Sequence, residues 1–302
     1  MNFLQTLVSD IGLTATELGL ALLACALAIS MGATLAKRQA RAYKQHADEN
    51  MQHHGHLPVV TFSDYGDMRF LHFGTPAVQG SMRISKPYEI HLDYVQRMMA
   101  WLLFVDLDRI SNLSAMQLGL GAASLTKFCH HHLNMRTTAI ELNPQVITIC
   151  RRWFHLTENT ANLKVIEADA GQFVSQHAEH EKIDVLQVDL YDQDAAQPII
   201  DSEDFYRDCK RMLNSSGFMT VNIFGHASCY DESLRRITAA FGSESVWTFK
   251  PTLAGNLIVL AFAHPRSFNQ SALIDQANAI QARWQLPATK WLKELAPLQM
   301  AK

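Results

Sequence analysis

Four positions in this chain could do chemistry together, because each closes a short apolar run. Gln117-Leu118-Gly119-Leu120-Gly121 ends the first run, Glu141 ends the second twenty-two positions after Gly119, Asp169 ends a third and Asp189 a fourth, in Asp189-Leu190-Tyr191-Asp192. Glycines at the start of a helix let backbone amides approach a ligand closely, and a carboxylate at the tip of the neighbouring strand can accept both hydroxyls of a ribose. A third glycine is missing, with Ser124 at its place. The pattern therefore suits a nucleoside without a pyrophosphate better than a dinucleotide. Any one of these acids reads equally well as a solvated turn residue. Four at the same relative place imply one cleft, since ligands of open parallel sheets bind outside the carboxyl ends of the strands.

The elements that must position these residues follow from periodicity. Val59 to Phe62, Arg69 to Phe73 and Gln79 to Ile84 read as short strands separated by Gly and Pro turns, a small antiparallel region ahead of the main domain. His91 to Val105 carries Met98, Met99, Leu102 and Leu103 at helical spacing and predicts an amphipathic helix. Strand and helix then alternate: strands at Ala115 to Leu118, Thr137 to Ile140, Leu163 to Ile166, Ile183 to Val188 and Phe218 to Ile223, with helices from Ser124, from Pro144 to Phe154 and from Glu203 to Leu213. Asn143 before Pro144 is a cap followed by proline at the first helical position. Ser245 to Phe249 and Asn256 to Ala263 flank a turn and predict a closing hairpin. This is an α/β pattern: a parallel sheet covered on both faces, with an antiparallel last strand. The expected organisation is an extension over 1–55, a small β region over 56–88, a nucleoside-binding α/β domain over 89–265 and a tail of two polar helices over 266–302.

Composition bounds the function. The chain has 302 residues, 48% hydrophobic and 18% charged, with a formal net charge of -3, so it folds around a core and carries no basic footprint for nucleic acid. Its five cysteines are odd in number and widely spaced, which argues for reduced thiols rather than a disulfide framework or a zinc knuckle. The histidines at 53, 54, 56 and 130 to 132 lack tetrahedral partners at metal-binding spacings, and no metal is assigned. Leu18 to Ala36 is free of charge and is followed by Lys37, Arg38, Arg41 and Lys44. Two readings stay open for it: a membrane helix that would tether the domain on the cytoplasmic side, or a helix buried against a partner subunit.

With these residues in place, the chain resembles the spermidine synthase family, the polyamine aminopropyltransferases, which share the Rossmann-like fold of the class I AdoMet-dependent methyltransferases. The resemblance runs from about Phe62 to Ala263. Gln79 matches the family glutamine that contacts the thioadenosine product, and Tyr94 the tyrosine that opens its Tyr-His-Glu or Tyr-Gln-Glu motif. Gly119 and Gly121 match its glycine loop, Glu141 its ribose ligand, and Asp169 with the adjoining Ala170 its adenine side. Asp189 and Asp192 match the two aspartates of its Asp-Ser-Ser-Asp-Pro loop. The resemblance implies transfer of an aminopropyl group from decarboxylated S-adenosylmethionine, a co-substrate rather than a tightly bound cofactor, to a small amine such as putrescine. Asp189, Tyr94 and Asp192 would be the catalytic residues. It also implies a cytoplasmic enzyme and a homo-oligomer.

The departures fall where amines bind. Ala122 stands where the family has an aspartate that grips the aminopropyl ammonium, Val95 and Gln96 replace the pair after the tyrosine, and Thr252-Leu253-Ala254-Gly255 replaces Tyr-Pro-Ser-Gly. The form is therefore divergent, and two alternatives stay beside the first reading. One is a methyltransferase that uses S-adenosylmethionine itself. The other is a membrane-tethered nucleoside-binding protein without catalysis.

Overall fold

The computed structural model describes residues 57–191, 200–225 and 227–298, apart from the side chains of residues 227 and 228. The candidate membrane helix over 18–36 and Asp192 lie outside the described residues. Among the described residues, no helix is long and apolar enough to cross a membrane.

Strands β1 (Val60–Tyr65), β2 (Met68–Phe73) and β3 (Gly80–Arg83) form a small antiparallel sheet in sequential order. Tyr65 pairs with Met68 across the tight turn at Gly66 and Asp67. The predicted helix over 91–105 is not one helix. Asp93–Arg97 forms a five-residue helix, α1, and Ala100–Phe104 a separate 3-10 turn. The reason lies in Met98 to Leu103, which are all buried. A segment enclosed on every side has no solvent-facing stripe to define an amphipathic helix.

The alternation then runs largely as its periodicity implies: β4 (Ser114–Leu118), α2 (Ser124–Lys127) continued by a π-turn over Phe128–His132, β5 (Arg136–Glu141), α3 (Pro144–Trp153), β6 (Leu163–Glu167), α4 (Ala170–His177), β7 (Ile183–Val188), α5 (Glu203–Met212), β8 (Leu213–Phe224), α6 (Ala227–Phe241), β9 (Val246–Phe249) and β10 (Asn256–Phe262). Helices α4 and α6 were not anticipated. Local chemistry starts three of the helices: the side chains of Asn143, Asp169 and Ser202 accept from the backbone amides of Gln145, Gln172 and Phe205 at 3.0, 2.8 and 3.1 Å, each satisfying an amide that the helix itself leaves open.

The large sheet has eight strands, with β11 formed by Leu295–Pro297, in the order β11-β9-β10-β8-β7-β4-β5-β6. Strands β8, β7, β4, β5 and β6 are parallel, and β10 runs antiparallel to both β8 and β9. The expected antiparallel strand is thus present as β10. Its side chains show why it is central: Ile258, Leu260 and Phe262 enter one core while Leu257, Val259 and Ala261 enter the other. This is the period of two that a strand covered on both faces requires.

The tail departs from two polar caps. After α7 (Gln270–Trp284) and α8 (Ala288–Glu294), Leu295–Pro297 forms β11, which pairs antiparallel with β9 at the sheet edge. Ala277, Ile280 and Trp291 from these helices join Trp101 in the core on that face. The tail is therefore part of the core, and Trp291 is fully buried. Trp291→Ala is expected to lower unfolding stability by about 3–5 kcal/mol, read as a shift of the urea midpoint at unchanged slope. A loss below about 1 kcal/mol would mean that the tail is peripheral.

Candidate active site

Parallel pairing brings the strand ends to one edge. Gly119 follows β4, Glu141 ends β5, Asp169 follows β6 and Asp189 follows β7. Backbone bonds fix their mutual height: the Gly119 amide donates to the Ile140 carbonyl at 2.9 Å and the Asp189 amide to the Leu118 carbonyl at 3.0 Å. The strand ends open on a cavity of about 490 Å³ whose walls include Gln79, Tyr94, Gly119, Gly121, Glu141, Asp169, Ala170 and Asp189. Every predicted site residue within the described part of the chain lines this cavity. Asp192 is outside the described residues.

Glu141 is 9% exposed and is held by backbone. Its Oε2 accepts from the Leu120 amide at 2.9 Å and its Oε1 from the Asn143 amide at 2.8 Å. Burial pushes its pKa up, and these amides with that of Leu142 pull it down. Each carboxylate oxygen keeps a further lone pair for a donor in the cavity, so the geometry suits the vicinal hydroxyls of a ribose. Asp169 serves two ends at once, because its Oδ1 caps α4 through the Gln172 amide while its side of the cavity continues into Ala170.

Asp189 sits in a different environment. Burial pushes its carboxyl up to about 6, against hydrogen bonds from Asn222 and Tyr94 that favour the charged form. Asn222 Nδ2 donates to Asp189 Oδ1 at 2.8 Å, and Asn256 Nδ2 donates to Asn222 Oδ1 at 3.0 Å. Asn256 is steadied in turn by Thr252, whose hydroxyl accepts from the Asn256 amide at 3.0 Å. Burial, then the nearby Asp189 charge, hold the Tyr94 phenol well above its ordinary pKa, so it stays a donor. The Tyr191 hydroxyl is spent on backbone: it donates to the Asn222 carbonyl at 2.8 Å and accepts from the Phe224 amide.

Sequence reasoning missed Asn222 and Asn256. The signal was a polar residue inside the apolar run of β8 and another at the start of β10, since a buried amide in a core strand must find a partner. The departures from the resemblance also have places. The Ala122 methyl is buried against Gly80, where an added Cβ would sit 2.7 Å from it, and Ala122 is not part of the cavity wall. Val95 is in the core, and the Gln96 side chain donates to the Ile90 carbonyl at 2.9 Å. Ala254 lines the cavity beside Phe224 and Asn256.

Comparison with known proteins bears on this arrangement. The family model described as "Spermine/spermidine synthase domain" matches residues 119–271. A polyamine aminopropyltransferase of Neisseria meningitidis serogroup B is 31% identical over 241 residues, 79% of this chain and 89% of that protein. One from Chromobacterium violaceum is 29% identical over 241 residues, 79% of this chain and 90% of its own. Among solved structures, a probable spermidine synthase from Corynebacterium glutamicum superposes with a TM-score of 0.62 at 19% identity, covering 82% of this chain and 98% of that one. Human methyltransferase-like protein 13, solved with SAH, gives 0.59 at 20% identity, covering 65% of this chain and 93% of that one. At such identities the structural likeness concerns the fold.

Gly119 offers a direct test of the site's construction. Its φ is +87°, and an added Cβ would lie 2.2 Å from the Asp189 carbonyl oxygen. Gly119→Ala is expected to lose on the order of 1–3 kcal/mol through backbone strain alone, read as a shift of the urea midpoint. An unchanged midpoint would show that the strand ends tolerate separation.

Proposed function

This chain belongs to the spermine/spermidine synthase family, and on that premise we propose that it is an aminopropyltransferase that moves the aminopropyl group of decarboxylated S-adenosylmethionine onto a diamine such as putrescine. The reading rests on one observation: Asp189, held by the Asn222 side chain at 2.8 Å, shares a cavity with Tyr94 and the nucleoside-type acids Glu141 and Asp169.

In this reading Glu141 accepts from the ribose hydroxyls, Asp169 and the backbone at Ala170 face the adenine, and the Gly119 to Gly121 turn, with the Gly119 amide held by Ile140 and the Leu120 amide by Glu141, passes close to the nucleoside. Gln79 meets the sulfur end. The acceptor amine's lone pair forms the new carbon–nitrogen bond as the carbon–sulfur bond breaks and its electron pair goes to sulfur, leaving neutral methylthioadenosine. The leaving group needs no acid. The amine does need to lose a proton, because its solution pKa is about 10, and Asp189 takes that proton. The mismatch of about 4 units corresponds to about 5 kcal/mol in water. The neighbouring sulfonium reduces it by disfavouring a second positive charge, and exclusion of water strengthens the pull of the carboxylate. Tyr94 and Asn222 orient Asp189 without neutralising it. Asp192, three residues on, would answer the distal ammonium of the diamine. Holding two reactants in line supplies much of the remaining acceleration.

A second reading, methyl transfer from intact S-adenosylmethionine, draws on Ala122. With that methyl turned against Gly80, no carboxylate stands at the position that would select a donor carrying only an ammonium. Incubation with decarboxylated S-adenosylmethionine and putrescine, then with S-adenosylmethionine and candidate acceptors, separates the readings by mass spectrometry. Methylthioadenosine supports the first, S-adenosylhomocysteine the second, and neither product leaves a nucleoside-binding protein without transfer. Asp189→Asn is expected to lower methylthioadenosine formation by about 10²–10⁴-fold while leaving methylthioadenosine affinity nearly unchanged. In the wild type, turnover should fall as pH drops through about 6, where Asp189 takes up a proton. Unaltered turnover in the variant would remove Asp189 from the mechanism.

A further inference from the structure

A second cavity, of about 290 Å³, shares no lining residue with the cleft; Tyr88, Lys127, His130, His131, His155 and Thr157 are among its walls. We propose that it is a binding site for a phosphate-class oxoanion, with the Lys127 ammonium as its charge anchor and His130 as a second contact. The proposal does not depend on the reading of the cleft.

Lys127 is the central observation. It is 4% exposed, yet among the described residues it forms no ion pair. Its Nζ donates to the Phe154 carbonyl at 2.7 Å, one acceptor for a group with three N–H bonds. Buried charges in proteins are normally paired, because an ammonium removed from water without a counter-charge is unfavourable. No carboxylate lines this cavity to fill that role. Burial lowers the Lys127 pKa only to about 8, so the group stays largely protonated near neutrality.

His130 adds an independent sign. It lines the same cavity, and its Nδ1 is buried without a hydrogen-bond partner. An unpartnered ring nitrogen and an unpaired ammonium on residues that line one cavity are the two polar groups an anion there would answer. His155 and Thr157, just after α3, line the same cavity. The lining carries one ammonium and no carboxylate, and burial with the Lys127 charge holds His155 toward its neutral form, in which one ring nitrogen still donates. An oxoanion answers this lining, whereas a cation or an apolar ligand does not. The cavity exceeds the volume of a bare phosphate, so the anion is either inorganic phosphate or the phosphate group of a monoester.

Calorimetric titration of the full chain at fixed ionic strength, with inorganic phosphate in one arm and ribose 5-phosphate in the other, distinguishes these sources. Saturable binding of at least one is expected, unchanged when methylthioadenosine fills the cleft and weakened at least tenfold in Lys127→Met. His130→Leu is the second variant should Lys127→Met fold poorly, and a severalfold loss is expected there. Binding of neither probe, binding that persists in both variants, or displacement by methylthioadenosine would overturn the proposal. A Lys127→Met protein that is less stable while the wild type binds neither probe would assign the lysine to the Phe154 carbonyl alone.

Discussion

The close approach of Gly119 to the Asp189 backbone is the contact on which the site depends. Strands β4 and β7 are neighbours in the parallel sheet, and just past their ends the chain at Gly119 passes so near the Asp189 carbonyl that a single carbon atom would not fit. The backbone there adopts a φ of +87°, a conformation that side-chain-bearing residues rarely take. This approach joins two halves with different chemistry. The glycine loop and Glu141 make a wall of backbone amides and carboxylate oxygens, and Asp189 opens the half where a second reactant must enter.

The same geometry sets up an electrostatic division. Glu141 is buried and Asp189 half-buried, and they are compensated differently. Three backbone amides face Glu141, whereas Asp189 has two side-chain donors, Asn222 and Tyr94. Backbone amides are rigid and belong to the fold. At Asp189 the side-chain donors favour the charged form, but burial outweighs them and carries the pKa to about 6, a combination suited to a group that exchanges protons. The relay from Asn256 through Asn222 carries this support back into β10, the antiparallel strand at the centre of both cores. Stability and site are thereby coupled through one strand.

How much of this was legible in the sequence follows from the kind of contact involved. The strand ends were readable because fully buried strands are apolar throughout, so the first acid or glycine after each run marks the sheet edge. The order of motifs then identified the family. Contacts between elements far apart in the chain were not readable. Asn222 and Asn256 acquire their role only from the antiparallel pairing of β8 with β10. The burial of Ala122 depends on Gly80, which belongs to the small sheet. The helix expected over 91–105 failed because helical spacing of large apolar residues is also satisfied by a segment wrapped on all sides. The β11 strand is too short to carry a period, and its pairing with β9 comes from the packing of Trp291 and its neighbours.

The central claim is that the cleft holds a sulfur-bearing nucleoside between Glu141 and Asp169 with its sulfur turned toward Asp189. A crystal structure of the protein with methylthioadenosine measures this directly. The account predicts ribose hydroxyls within hydrogen-bond distance of the Glu141 carboxylate, adenine against Asp169 and Ala170, and the thioether facing Asp189 across space for an amine. Methylthioadenosine bound elsewhere, or bound in the cleft with its sulfur pointing away from Asp189, would contradict it.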